Sequence, residues 1–272
     1  MRRMIASALA IAVAATLMLQ GTASARQVRP NHAHAATHTG LRVPHRGYGD
    51  SILFYGPSIG TRKISEASIA EAMGFDVTVA TKGRWAAMSR PEFKAFGAIV
   101  FGDPGCKTST DRLDVADANA NTWSGAIQGH VVVTGTDPVW HANHGVEPGP
   151  EHLIVNTLAY VSRGAGTGLA VGLSCYYSGA RRNTPVSLLR RFGTFTVQGQ
   201  GRKPLPGCPD KVETPDPAHA LLTGLSADDL SNWGCSIHEA FDSMPDGFAV
   251  VAQHRRTDLP YIITGKVGIS YP

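Results

Sequence analysis

The feature that most constrains the fold of this 272-residue chain is a regular alternation of short apolar segments with helical patterns. Each apolar segment has the length and composition of a strand buried on both faces of a sheet. Such strands, joined by helices in right-handed βαβ units, form a parallel sheet with helices on both faces. The sequence therefore predicts an α/β fold: a flavodoxin-like three-layer sandwich with a mainly parallel sheet of five or more strands. The predicted strands are residues 51–56, 75–81, 97–104, 130–138 and 168–174.

Local signals predict where several helices begin and end. Gly74 is expected to stop the first helix, because glycine readily adopts the left-handed conformation that ends helices. Ser89 and Glu92 have the spacing of a capping box and predict a short helix that reaches Phe96. Further helices are predicted over residues 111–127, 150–163 and 184–193.

The first 25 residues have the three parts of a Sec-type signal peptide. Arg2 and Arg3 precede an apolar run, and Ala23-Ser24-Ala25 predicts cleavage after Ala25. Residues 26–50 lack apolar periodicity and are predicted to be a disordered leader that contains histidines. Residues 51–272 are predicted to form a single domain, with no membrane span, in a secreted, extracellular protein.

The charge of the chain gives no reason to expect a nucleic-acid partner. The sequence holds 25 Lys and Arg against 21 Asp and Glu, and two of the arginines belong to the predicted signal peptide. A nearly balanced mature chain lacks the strong basic excess of proteins that bind nucleic acid through its phosphates. No oligomeric state is predicted.

Polar residues follow the predicted strands closely. In an open parallel sheet, sites form beyond the carboxyl ends of the strands, so these residues are expected to share one edge. They are Ser58, Asp103, Asp137, His141, His144, Ser174 and Cys175.

The loop after the fourth strand is a candidate metal site. Asp137, His141 and His144 offer one carboxylate and two imidazoles, which are common ligands of divalent metals. The alternative is that Asp137 caps the loop and the histidines lie on the surface. A divalent metal is the only cofactor that this pattern suggests.

The segment around His238 is a candidate catalytic site. His238 can move protons near neutral pH, and Glu239 can act as a base. Because neighbouring residues of a strand point to opposite faces, only one of the two is expected to face the site. A buried polar pair satisfied by backbone groups is the alternative.

Four cysteines follow the signal peptide, which is an even number in a protein predicted to be exported. Cys106 and Cys175 both follow strands at the same edge, and Cys208 and Cys235 share the second half of the chain. We expect disulfides Cys106–Cys175 and Cys208–Cys235. The alternative for Cys175 is a nucleophile at the end of the fifth strand.

Several segments resemble the class I glutamine amidotransferase-like superfamily, especially its trehalose-utilisation-type (ThuA-like) branch and an uncharacterised group of bacterial extracellular domains. The similar segments are "ILFYG", "FDVTVAT", "FGAIVFGD", "HVVVTGTDP", "HALLTGL", "IHEAF" and "DGFAVVAQ". The resemblance implies an amidotransferase-like fold for residues 51–272. It does not imply the amidotransferase nucleophile, because neither Ser174 nor Cys175 has glycine on both sides in a G-x-nucleophile-x-G frame.

Two functions remain open from the sequence. The first is a binding domain for a small polar extracellular ligand, such as a carbohydrate or a cell-wall fragment. Its expected ligand-binding residues are Asp103, Asp137, His141 and Tyr176. The second is a secreted hydrolase, metal-assisted through Asp137, His141 and His144, with His238 or Glu239 as acid and base.

Overall fold

The computed structural model describes residues 49–105, 109–146, 148–199 and 211–267. The predicted signal peptide and all but the last two residues of the predicted leader lie outside these ranges. Among the helices that the structure describes, none combines the length and apolar character needed to cross a membrane.

The described residues form strands in two sheets, with helices between them. The strands are β1 (Ser51–Tyr55), β2 (Asp76–Ala80), β3 (Ala98–Phe101), β4 (Ile127–Thr134), β5 (Thr167–Gly172), β6 (Thr184–Pro185), β7 (Thr196–Gly199), β8 (Val212–Glu213), β9 (Glu239–Ser243), β10 (Ala249–His254) and β11 (Pro260–Lys266). The α-helices are α1 (Glu66–Ala72), α2 (Lys82–Ala87), α3 (Arg90–Lys94), α4 (Asp114–Ala118), α5 (Ala120–Trp123), α6 (Pro138–Asn143), α7 (Gly149–Val161) and α8 (Ser174–Tyr177).

The large sheet has eight strands in the order β2-β1-β3-β5-β4-β11-β10-β8. The five predicted strands, β1 to β5, pair in parallel, which confirms the α/β fold and the mainly parallel sheet. The sheet continues on one side with antiparallel strands β11, β10 and β8. A separate antiparallel sheet has the order β6-β7-β9.

Helices cover both faces of the large sheet, and β1 shows this through its alternating side chains. Ile52 and Phe54 belong to one buried cluster, which includes residues of α1 and α7. Leu53 and Tyr55 belong to a second cluster, which includes residues of α2 to α5. Strands whose side chains are buried in both directions are expected in the centre of a sheet that is covered on both faces.

The local stop and start signals act as predicted in the first half of the chain. Gly74 has φ +92° just after α1, a conformation that costs glycine little because it has no Cβ. Ser89 and Glu92 form the capping box of α3, in which the Glu92 carboxylate accepts a 2.8 Å hydrogen bond from the Ser89 N–H.

One predicted helix is interrupted and another is wrong. Residues 111–127 do not form one helix, because Asn119 leaves helical geometry between α4 and α5. The Asn119 side chain is instead hydrogen-bonded to both the indole N–H and the carbonyl of Trp85 in α2, at 3.1 Å each. The segment 184–193 contains only β6 and a 3₁₀ turn, Ser187–Leu189.

Candidate functional site

The loops that follow the parallel strands meet at one edge of the large sheet. The Ser58 hydroxyl, after β1, accepts a 3.0 Å hydrogen bond from the Gly102 N–H after β3. The Asp103 carboxylate, also after β3, accepts a 2.8 Å hydrogen bond from the Cys175 N–H at the start of α8. Short backbone contacts therefore bring the polar residues of different loops together at the carboxyl ends of the strands, where α/β sheets place their sites.

Asp137 lies between two histidines in this region. Its carboxylate is completely buried, and Oδ1 is 3.0 Å from the Nε2 of His141 and 3.2 Å from the Nε2 of His238. Each of these Nε2 atoms is also hydrogen-bonded to the carbonyl oxygen of Cys235, at 2.9 Å and 2.8 Å respectively. Because a carbonyl oxygen can only accept, both histidines carry a proton on Nε2 in this arrangement.

Local sequence brings Asp137 and His141 together. Pro138 begins α6, and its fixed φ suits the first position of a helix. Asp137 precedes it, and His141 follows four residues after Asp137, so both side chains lie on the same side of the first turn.

His238 comes from a distant part of the chain and is held by the backbone. The N–H groups of His238 and Glu239 donate to the carbonyl of Gly135, at 3.0 Å and 3.1 Å. Gly135 in turn donates to the Tyr261 carbonyl of β11 at 2.6 Å. The start of β9 is thereby fastened to the loop after β4, next to Asp137.

A cleft of about 800 Å³ opens at this edge. Asp137, His141 and His238 line part of its wall. The side chain of His238 is 14% exposed, whereas those of Asp137 and His141 are almost inaccessible. Two tryptophans and two arginines also line the cleft: Trp140, Trp233, Arg62 and Arg112.

His144 lies apart from the Asp137 carboxylate, although the sequence predicts it as a metal ligand with Asp137 and His141. Its ring stacks on Trp140 with centroids 3.9 Å apart, and its Nδ1 is 2.6 Å from the Trp140 carbonyl oxygen. Its Nε2 is 3.5 Å from Nη1 of Arg62. In the described chain, a different trio, Asp137, Cys175 and His238, has its potential ligand atoms within 4.8 Å of one another.

Cys175 lies in α8 directly after β5, with its Sγ 3.6 Å from Oδ2 of Asp137. Of the cysteines that the structure describes, Cys175 and Cys235, neither is free. Cys106 and Cys208 lie outside the described residues, so the two predicted disulfides stay predictions. A cysteine that is not free offers no thiolate to a metal, which leaves Asp137 and His238 as the donors of that trio.

Asp103 and Tyr176, which the sequence predicts as ligand-binding residues, are buried in the interior and do not line the cleft. Asp103 is 3% exposed and accepts hydrogen bonds from the N–H groups of Cys175 and Gly105. Burial raises the pKa of Asp103 to about 7, although the Cys175 N–H opposes the shift. Tyr176 is 7% exposed and donates to the Gly102 carbonyl at 3.4 Å. Burial raises its pKa well above the ordinary value.

Glu239 and His238 point to different environments, as their adjacent positions require. His238 lines the cleft, while Glu239, the first residue of β9, is completely buried. Neither carboxyl oxygen of Glu239 has a hydrogen-bond partner among the described residues. Burial therefore raises the pKa of Glu239 well above its usual value.

A small cavity of about 40 Å³ lies at the same edge. Glu66 and Asp103 both line it, and Oε1 of Glu66 accepts a 3.1 Å hydrogen bond from the Asp103 N–H. Burial raises the pKa of Glu66 to about 7. This space is large enough for a water molecule but not for a ligand of sugar size.

Three residues of this region were missed by sequence reasoning: Arg62, Glu66 and Arg112. The position of Arg62 was a usable signal, because it lies in the loop after β1, where the topology predicts site residues. Glu66 and Arg112 gave no local signal, because one begins a helix and the other lies in a polar turn.

Comparison of the chain with models of protein families, with curated proteins and with solved structures finds no match.

Proposed function

We propose that this protein is a secreted, extracellular binding protein whose cleft holds a small polar ligand, such as a carbohydrate or a cell-wall fragment. The observation that carries this proposal is the cleft of about 800 Å³ at the carboxyl edge of the sheet, lined by Trp140, Asp137 and His238. Ligand sites combine apolar and aromatic walls with a few converging polar groups. Trp140 offers an aromatic face of the kind on which sugar rings pack.

The proposal includes export and an amidotransferase-like, flavodoxin-like architecture without an amidotransferase nucleophile. The three-part pattern of residues 1–25 supports export. The short sequence segments that resemble that superfamily support the architecture. In the same proposal, disulfides Cys106–Cys175 and Cys208–Cys235 reinforce the domain. N-terminal sequencing of protein from the culture medium, expected to begin at Arg26, tests export. Masses of disulfide-linked peptides test the pairing.

The binding proposal is tested with an array of neutral and acidic cell-wall saccharides and the purified mature protein. We expect at least one saccharide to bind, and Trp140→Ala to weaken its binding at least tenfold. Tyr160→Ala is the matched control, because this partly buried aromatic packs on His130, at the other end of β4. Binding that Trp140→Ala leaves unchanged would place the ligand outside the cleft and would contradict the proposal.

A hydrolase is the second candidate, and the contact between Asp137 and His238 favours it. A buried carboxylate 3.2 Å from an imidazole holds the ring in a fixed orientation. In this candidate His238 takes a proton from the attacking water and returns it to the leaving group. In a metal-assisted reaction Asp137 would hold a divalent metal, which would polarise the bond that the water attacks. Glu239 has no direct role in the cleft, because it is completely buried.

The hydrolase candidate is tested on a broad panel of ester, amide, phosphate and glycoside substrates. We expect turnover that His238→Asn abolishes while the fold is retained by circular dichroism. Elemental analysis and a chelator separate a metal-assisted reaction from one that uses His238 alone. A stable protein that is inert on the whole panel would eliminate this candidate and leave the binding proposal intact.

A further inference from the structure

We infer that the ligand of the cleft is an acidic saccharide, one that carries a carboxylate or a phosphate, and that Arg62 and Arg112 recognise this charge. The inference rests on the proposed binding function and specifies its ligand class. It arises from the charges that line the cleft.

Arg62 and Arg112 have no carboxylate partner among the described residues, in contrast to Arg84 and Arg182. Arg84 is 2.9 Å from Glu92, and Arg182 is 3.6 Å from Asp242. By contrast, Arg62 contacts the His144 imidazole at 3.5 Å, and Arg112 donates a long 3.4 Å hydrogen bond to the Pro57 carbonyl. Both guanidinium groups are exposed and line the cleft. They therefore retain donors for a ligand.

Among the described residues that line the cleft, none offers an accessible negative charge to offset these arginines. Of the described residues that line it, Asp137 is the only acid, and this residue is completely buried. Its Oδ1 is already within 3.2 Å of two imidazole nitrogens. The accessible charge that these described residues present to a ligand is consequently positive. Guanidinium groups bind carboxylates and phosphates through paired hydrogen bonds, so this charge selects an anion of either kind.

The size and walls of the cleft favour a saccharide over a small inorganic anion. A volume of about 800 Å³ is far more than one phosphate occupies. Trp140 is partly exposed, so one face of a sugar ring can pack near it. Trp233 is only 5% exposed and donates its indole N–H to the Asp229 carbonyl, so it shapes the wall. A sugar ring beside Trp140 with an acidic group at the arginines satisfies both features.

The test compares matched saccharides that differ only in their charge. For each saccharide that binds on the array, affinities are measured by calorimetry for three forms: with hydroxyl, carboxylate or phosphate at the same carbon. We expect an acidic form to bind at least tenfold more tightly than the neutral form at low salt, and the difference to shrink as salt is added. Whether carboxylate or phosphate binds more tightly identifies the acidic group.

Variants assign the charge preference to the two arginines. Arg62→Gln and Arg112→Gln are each expected to weaken binding of the acidic form about tenfold more than binding of the neutral form. Arg163→Gln is the matched control, because Arg163 is exposed, does not line the cleft and lies beyond the end of α7. It should bind like the unmodified protein.

The failure of this inference can be told apart from the failure of the proposed function. Equal affinity for neutral and acidic forms, with both lost in Trp140→Ala, overturns the acidic ligand and leaves the binding function standing. A charge preference that survives in both arginine variants also overturns it. Absence of binding to every saccharide on the array overturns the inference and the proposed function together.

Discussion

At the scale of single residues, Asp137 shows how one buried carboxylate organises the site. Its Oδ1 and the Cys235 carbonyl oxygen both lie within hydrogen-bond distance of the same two imidazole nitrogens. A buried carboxylate is unfavourable unless other polar groups compensate it, and two imidazoles contact its Oδ1. The same contacts orient His238, which is partly exposed to the cleft, so the stability of the site and its chemistry depend on one set of atoms.

Glu239 is the opposite case, a buried carboxyl with no hydrogen-bond partner among the described residues. Its pKa is raised by burial, so the folded protein keeps a proton on Glu239 that the unfolded chain releases above the ordinary value of 4.5. The contribution of this group to the free energy of unfolding is therefore largest in acid and decreases as pH rises. We predict that Glu239→Gln gains stability relative to the unmodified protein as pH rises from 4 to 8.

Urea unfolding at several pH values measures this difference. The relevant quantity is the change with pH in the free energy of unfolding of Glu239→Gln minus that of the unmodified protein. Glu71→Gln, at an exposed position of α1, should show no such change. If the difference for Glu239→Gln is also constant with pH, Glu239 is ionised in the folded protein and its environment is not as described.

At the scale of elements, Gly135 allows β9 to approach the loop after β4. A Cβ at this position would lie 2.0 Å from the Glu239 carbonyl oxygen and 2.6 Å from Oε2 of its side chain. The first of these atoms is backbone, so the clash is relieved only if β9 moves away. We predict that Gly135→Ala lowers stability by about 2–4 kcal/mol, in the range of severe overpacking, and separates His238 from Asp137.

Gly83→Ala is the matched control for this prediction. Gly83 lies in α2 and is exposed, and a Cβ added to it would meet no atom within 4 Å. Alanine has the higher helix propensity, so this variant should gain about 0.5–1 kcal/mol. Thermal unfolding compares the two variants, and a Gly135→Ala protein as stable as the control would show that β9 does not pack as closely as described.

The elements that the sequence predicts well are those with local signals. The strands β1 to β5 are short apolar runs between helical segments, and their parallel pairing follows from the connections alone. The predicted helix 111–127 is interrupted at Asn119, whose side chain is hydrogen-bonded to Trp85, thirty-four residues away in sequence. No local pattern reveals this contact.

In the site, too, contacts between residues close in sequence are predictable and contacts between distant residues are not. Asp137 and His141 are four residues apart, so their contact could be anticipated from the loop after β4. The contact between Asp137 and His238 depends on the fastening of β9 to Gly135, between distant parts of the sequence. Burial decides the rest: Asp103, Tyr176 and Glu239 have suitable chemistry for a site, but packing directs them into the interior.

At the scale of the whole molecule, buried titratable groups oppose one another in their effect on stability. Burial raises the pKa values of Glu66, Asp103 and Glu239. Burial lowers those of His130 and His219 from 6.5, aided at His130 by nearby cations. The carboxyls take up protons on folding and the histidines release them. The two histidines are less deeply buried than the carboxyls, so solvent screens their effect more strongly.

Because the effect of the carboxyls outweighs that of the histidines, we predict that the protein is more stable at pH 5 than at pH 7. A carboxyl with a raised pKa stabilises fully below its unfolded value, 4.5 for Glu66 and 3.8 for Asp103, and loses this contribution as pH rises to about 7. The histidines act in the other direction, because their contribution is lost as pH falls below 6.5. With three carboxyls against two screened histidines, the free energy of unfolding should fall between pH 5 and pH 7.

The slope of this dependence identifies the groups responsible. Each carboxyl that is protonated only in the folded state contributes up to about 1.4 kcal/mol per pH unit. Glu66→Gln keeps an oxygen that can accept from the Asp103 N–H, so the double variant Glu66→Gln/Glu239→Gln should fold. Its free energy of unfolding should decrease less steeply with pH than that of the unmodified protein, because the contributions of two carboxyls are removed. A curve that rises from pH 5 to pH 7 in the unmodified protein would mean that the histidines dominate. An unchanged slope in the double variant would mean that both carboxyls are ionised in the folded protein.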